Sequence, residues 1–201
     1  MKKKVLLFIA GLASFGISQM VLRVPLLNLF YDTETYIYMS LTMPLVISWI
    51  IAFTAGLFEE SGRLIFLQFF KKESLSLSDG VVFGLGHGLM EAGWLMISII
   101  GYIVSNGFSS ASGLAIVERI FALILQVALT IFVVMAVDRH KIRWYFVAIL
   151  LHTIMDGMLI YFRSIVALEV SLGCCAAVVL ILALVAWKIS GRETSAIGKT
   201  V

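Results

Sequence analysis

Charge is scarce in this chain: Asp, Glu, Lys and Arg make up only 13% of its 201 residues. They fall into short groups between long apolar runs, which argues against the solvated surface of a soluble domain. Cysteine offers no framework, because Cys174 and Cys175 are adjacent within an apolar run. That arrangement excludes a disulfide scaffold and a zinc knuckle and leaves two packing residues. The net charge of +3 is carried by loops and forms no basic patch, so no nucleic-acid partner is expected. Period-two alternation is also missing, as are internal repeats and low-complexity tracts. With strands excluded, a helical bundle is the spanning solution. The start, Met1-Lys2-Lys3-Lys4 followed by Val5 to Ala10, is similar to a signal peptide. No small-residue cleavage site follows it, and it is read as an uncleaved first span.

What is abundant is apolar sequence, at 61% of residues with a mean hydropathy of +1.06. At roughly 20 residues per crossing, the expected fold is all-α: a polytopic transmembrane bundle of about six spans, forming a single integral-membrane domain over 1–201. The spans are expected at about 5–22, 38–70, 81–104, 114–137, 144–162 and 165–187, with a polar tail over 188–201. Pro25 is taken to close the first span, and Ser105-Asn106-Gly107 reads as a turn after the third. The second is long for one crossing, which predicts a tilt, a break or an extension beyond the bilayer. Lys2, Lys3, Lys4, Lys71, Lys72, Arg139, Lys141, Arg143, Lys188, Arg192 and Lys199 fall on one side of this path, and Arg23 and Arg163 on the other. The positive-inside rule then makes both termini cytoplasmic in a bacterial inner membrane, with lipid as the surrounding partner.

Three groups of ionisable residues interrupt the apolar runs: Glu59-Glu60 with Arg63, His87 with Glu91, and His152 with Asp156. A charge in hydrocarbon costs about 2.5–3.5 kcal/mol or more, so such groups call for a function. At a rise of about 1.5 Å per residue, Glu59-Glu60 lie roughly 17 Å from Lys71, His87 and Glu91 roughly 10–17 Å from Gly80, and His152 and Asp156 roughly 13–20 Å from Arg143. All three therefore share one depth in the cytoplasmic half. Each His stands four residues before its carboxylate, on one helix face. Gly84 and Gly88 beside His87 form a small-xxx-small pair that lets a neighbouring helix approach, and Gly157 is expected to serve Asp156 in the same way. Gln126 falls near this depth as a hydrogen-bonding support. Gln19, Arg23, Glu118 and Arg119 are set toward the outer boundary, as stabilising or headgroup-directed residues.

Two imidazoles with several carboxylates allow hydrolysis by two routes, which the residues alone leave open. In one, His87 and His152 bind a divalent metal such as Zn2+, completed by Glu60, Glu91 or Asp156, with an open position for water. In the other no metal takes part, and a buried Glu is the general base toward water. Neither pair has the His-Glu-x-x-His spacing of a zinc helix. A polar network that merely fixes helix register would need neither two histidines nor four carboxylates at one depth.

Glu59-Glu60-Ser61-Gly62-Arg63, Phe83-Gly84-Leu85-Gly86-His87 and His152-Thr153-Ile154-Met155-Asp156 resemble the three motifs of the CAAX prenyl endopeptidase and bacteriocin-processing (CPBP) intramembrane proteases. The pairs His87-xxx-Glu91 and His152-xxx-Asp156 resemble the PrsW-type branch more nearly, and the six-span layout is most similar to the YhfC-type intramembrane metalloproteases. The resemblance implies that Glu59 is the water-activating base supported by Glu60, and that His87 shares the water or the metal. It implies that His152 and Asp156 bind the oxyanion or complete the ligand set, with Arg63 in support. Arg63 follows the Glu pair by one position fewer than in the prenyl-endopeptidase pattern, and Asp156 stands where that branch has Asn. A carboxylate is a poor oxyanion donor unless protonated, which favours Asp156 as a ligand, an orienting group or a partner of His152.

The function expected is hydrolysis of a membrane-embedded or membrane-adjacent peptide or protein substrate. Two rivals are a small-molecule-binding membrane subunit of a transporter, which needs a roomy aromatic pocket, and an ion or proton pathway, which needs polar residues from face to face.

Overall fold

The structure, a computed structural model, describes residues 1–161 and 164–197. Among these, no strand occurs, and six helical stretches are long and apolar enough to cross a membrane. Phe162 at the expected end of the fifth span, Arg163, and Lys199 in the tail lie outside the described residues.

The first crossing runs on where a stop was expected. Helix α1 (Lys2–Phe15) passes into a π-helical segment, Gly16–Arg23, and then into α2 (Val24–Tyr31), so one helical path spans Lys2–Tyr31. Pro25 is the second residue of α2 and does not close the span. The wider π turns have moved the backbone into a five-residue register just before it, with Val24 N–H donating to Gln19 O, and such a register change lets a helical path carry a proline that has no N–H to donate. The long second run does break. Thr33 caps α3 (Glu34–Thr42) by accepting from Tyr36 N–H at 3.1 Å, and α4 (Pro44–Gln68) begins after Met43. The residue before a proline is driven out of helical geometry, as the φ of −137° at Met43 shows.

Helix α5 (Leu77–Asn106) starts earlier than the apolar run because Ser76 and Asp79 form a capping box. Asp79 also pairs with Lys3 at 3.1 Å and Lys4 at 2.8 Å, which ties the start of α1 to the start of α5. Asp79→Ala is expected to lower stability by about 1–2 kcal/mol, a cap's worth with its ion pairs, read as a lower melting temperature in detergent. Gly107, at φ +82°, ends α5. Ser109 and Ser112 then box the start of α6 (Ser110–Asp138). Helix α7 (Arg143–Gly157) tightens into a 3-10 turn, Met158–Tyr161. Helix α8 (Ile165–Ile197) continues through much of what the sequence reading took as tail.

Helix α6 sits at the centre. Its most apolar window has the highest mean hydropathy of the six, 2.8, and 67% of that window is buried. A helix apolar on every side is one enclosed by others, and α6 packs against α4, α5, α7 and α8. Between α1 and α5 the contact is backbone on backbone. A Cβ at Gly86 would stand 2.2 Å from Phe8 O, and one at Gly11 would stand 2.2 Å from Phe83 O. In lipid, such close approach supplies the dispersion that water would otherwise drive through burial.

The ends of the helices that carry Lys3, Lys4, Asp79 and Asp138 meet on one face: Leu75 N–H donates to Asp138 at 2.8 Å, and Arg139 donates to Trp187 O at 2.8 Å. Lys71, Lys72 and Arg143, at the corresponding ends of α4 and α7, lie on this same face, here called the lysine face. On the opposite face Trp49 donates to the Tyr161 hydroxyl at 3.1 Å.

Candidate active site

Four helices bring the three groups together. Helix α4 presents Glu59, Glu60 and Arg63; α5 presents His87 and Glu91; α6 presents Gln126; α7 presents His152 and Asp156. Helix α7 reaches α4 over Gly56, where an added Cβ would lie 3.0 Å from Ile149 O and 3.3 Å from His152 Cβ. Helix α5 reaches α6 over Gly84 and Gly88, whose added Cβ atoms would lie 2.8 Å from Val127 Cα and 3.1 Å from Gln126 Cβ. The small residues flanking His87 thus abut a helix, as their spacing suggested. Gly157 admits the Trp49 ring of α4.

Glu59 is the junction. Its Oε2 lies 3.1 Å from His87 Nε2, accepts from Gln126 Nε2 at 3.2 Å, and stands 3.5 Å from Arg63 Nη2 and 3.9 Å from His152 Nε2. Its other oxygen accepts from Gln19 Nε2 at 2.6 Å. Glu60 turns the other way, to His152 Nδ1 at 2.7 Å, and accepts from Arg63. Arg63 also donates to Gln126, which donates in turn to Glu91. His152 Nε2 is left facing Asp156 Oδ2 at 3.7 Å. Glu60, Arg63 and His87 are fully buried, so each charge is held by partners and not by solvent. The Phe15 ring stands edge-on to His87, centroids 5.4 Å apart, and fixes the imidazole plane.

Three partners expected as stabilising or headgroup-directed residues toward the outer boundary join the site instead. Gln19 and Arg23 lie on the side remote from the lysines, yet Gln19 binds Glu59, and Arg23 binds Gln19 at 3.0 Å, Thr54 at 3.1 Å and Ile51 O at 2.9 Å. Both lie in the π-helical segment, whose changed register no hydropathy count reveals. Arg119, also assigned outward, contacts Glu91 at 3.5 Å and donates to Glu118. The only sequence signal was the presence of polar side chains within spans.

A cavity of about 420 Å3 adjoins the cluster, lined by Glu59, Glu91, Gln126, His152 and Asp156 together with Arg23, Glu118, Arg119 and apolar side chains. Asp156 is the site carboxylate most open to it, with its side chain 39% exposed. The lining continues through Ser48, Leu95, Leu159 and Leu172, toward the end opposite the lysine face. The sequence reading expected a hollow beneath the lysine face.

Imidazole nitrogens beside carboxylates are donors of the kind a divalent metal takes. Bonds of about 2.0–2.1 Å in a tetrahedral shell place ligand atoms roughly 3.3 Å apart. Among candidate ligands, His152 Nε2 and Asp156 Oδ2 stand at 3.7 Å, and both imidazole Nε2 atoms face the Glu59 carboxylate, at 3.1 Å from His87 and 3.9 Å from His152. Glu60 on His152 Nδ1 fixes the imidazole and turns its Nε2 toward Asp156, as an outer carboxylate does where an imidazole serves as a ligand. Around the cavity and cluster, the carboxylates of Glu59, Glu60, Glu91, Glu118 and Asp156, with buried Glu169 beside Glu118, outnumber the guanidinium groups of Arg23, Arg63 and Arg119, an excess that favours a bound cation. Among the described residues no three His, Cys, Asp or Glu side chains already close into a metal shell.

A multi-pass helical bundle with acidic and imidazole side chains buried together at one depth is an intramembrane arrangement, and the chain belongs to the YhfC intramembrane metalloprotease family. That family's model matches residues 1–106 and 99–179. The chain is 31% identical over 164 residues to a curated relative, the uncharacterized membrane protein YhfC of Bacillus subtilis (strain 168); the match covers 66% of this chain and 61% of that protein. The chain thus spans about three fifths of that relative's length. No solved structure gives a significant match.

Proposed function

We propose that this protein is a metal-dependent peptidase of the bacterial inner membrane that hydrolyses a peptide bond in a membrane-embedded or membrane-adjacent substrate. The observation that carries the reading is the convergence of His87 Nε2 and His152 Nε2 on the Glu59 carboxylate beside the cavity. His87, His152 and Asp156 are the residues that would hold Zn2+ or a similar ion. Once bound, the ion would supply Lewis acidity to polarise the scissile carbonyl and offset its developing charge.

The chain's own residues perform the proton transfers. Glu59 accepts the proton of the attacking water and returns it to the leaving amine, so the C–N bond breaks as N–H forms. Gln19 and Gln126 aim that carboxylate, and Glu60 with Arg63 fixes the rotation of the His152 ring. The cavity's apolar side and the buried helices exclude bulk water, which strengthens each of these interactions.

Two readouts test this in protein purified in lipid nanodiscs. Elemental analysis should give about one zinc per chain, falling at least about tenfold in His152→Ala, as loss of a ligand requires. Mass spectrometry of co-reconstituted membrane segments should detect new amino termini that chelator suppresses and zinc restores. Metal retained by His152→Ala, or cleavage indifferent to chelator, would remove the metal-dependent reading.

The cavity's apolar side gives the rival binding-module reading some footing. Its polar wall, however, bears four carboxylates and a histidine, which suits water chemistry better than capture of an apolar ligand.

A further inference from the structure

The direction from which the site is reached follows from which of its sides is closed. Toward the lysine face the cluster is capped by fully or almost fully buried side chains. Arg63, Leu67, Phe83, Thr130 and Phe132 are each 2% exposed or less. Beside the cluster α1 and α5 lie backbone to backbone at Gly11 and Gly86, leaving no room for even a methyl group. A solute could pass there only by parting two helices.

Toward the other face the packing is loose, and the cavity extends that way. Its lining residues belong to the helix ends remote from the lysines: Ser48 one turn into α4, Arg119 in the first third of α6, Leu159 and Ile160 in the 3-10 turn, and Leu172 early in α8. The polar residues at this end, Arg23 and Arg119, are half-buried, whereas Arg63 at the other end is fully buried. A half-buried guanidinium beside a cavity retains contact with water.

We propose that the substrate enters from the face opposite the lysines, which the positive-inside rule makes the outer face of the membrane. The occupant is a segment at the outer surface of the bilayer. It carries an apolar side chain toward Leu125, Met155 and Leu172, with its amide backbone along the polar wall of Glu59, Gln126 and Asp156. The peptide character of this occupant rests on the peptidase reading above; the direction of access does not.

Single-cysteine variants decide the direction. In a Cys174→Ala/Cys175→Ala background, Ala52→Cys and Ala122→Cys place thiols on the cavity wall. Ser74→Cys marks the lysine face, and Asn106→Cys, at the end of α5, marks the other. Each protein is reconstituted in sealed vesicles of known orientation and treated with a small cationic, membrane-impermeant thiol reagent. Ala52→Cys and Ala122→Cys should react at least about tenfold faster from the side that labels Asn106→Cys than from the side that labels Ser74→Cys. Faster or equal reaction from the lysine face would overturn the proposal. So would silence from both faces in a variant whose thiol reacts after denaturation, since the cavity would then be closed. No step of this assay requires activity. Should the parent protein cleave no membrane segment while the labelling pattern holds, the peptidase reading fails and the access route stands.

Discussion

Glu59→Gln is expected to lower single-turnover cleavage of a cognate peptide at least about a thousandfold, within the range of 10²–10⁴ that general-base catalysis contributes, while the protein still inserts and elutes as a single species. The amide preserves the shape of the side chain and keeps an oxygen toward Gln19 or Gln126, but it cannot take a proton from water. Losing one buried carboxylate leaves Arg63 paired with Glu60, so no cation is stranded, and the stability cost should stay near about 1–3 kcal/mol for imperfectly satisfied donors. The companion variant Glu118→Gln supplies the contrast. Glu118 lines the same cavity but binds only Arg119 among the site's groups described here, and its loss should change turnover less than about tenfold, as for a group that helps position a neighbour. Turnover within tenfold of the parent protein for Glu59→Gln would remove the proposed base. Equal losses in both variants would show that the assay reads cavity charge and not proton transfer.

The second large effect is on folding. Gly86→Ala adds one methyl group where Phe8 O already stands 2.2 Å from the ideal Cβ position. The neighbour is backbone in the middle of α1 and cannot rotate away, so the helices must separate by more than an ångström. Overpacking of cores costs about 1–3 kcal/mol, occasionally more, and a rigid backbone contact belongs at the upper end. Gly86→Ala should therefore lose at least about 3 kcal/mol, seen as a sharp fall in melting temperature and in monodisperse yield. Gly93→Ala is the matched control. It lies on the same helix, its added Cβ meets nothing within 4 Å, and it should be neutral or stabilising by up to about 1 kcal/mol from helix propensity. If the two variants melt alike, the backbone contact between α1 and α5 is not a determinant of stability.

The sequence alone fixed the solvent and the scaffold. Runs of apolar residues of membrane-crossing length require helices, because lipid offers backbone groups no other partner. The rise per residue set the depth of Glu59, His87 and His152, and the four-residue spacings set which side chains share a face. Element ends were less legible. The capping boxes at Ser76 and Ser109 extend helices into polar sequence, and the π-helical segment carries the first crossing past Pro25.

What only the tertiary structure decided is the rotation of each helix against its neighbours. That rotation arises from where glycines let backbones touch and where the π turns shift register, neither of which hydropathy or periodicity encodes. It makes Glu60 a partner of His152 Nδ1 while Glu59 faces both Nε2 atoms, and it turns Gln19 onto Glu59 with Arg23 behind it. It also closes the bundle beneath the lysine face and leaves the hollow on the other side. Depth and face follow from one helix at a time; pairing and access depend on how several helices pack together, because close contact in lipid is set by shape and not by hydrophobicity.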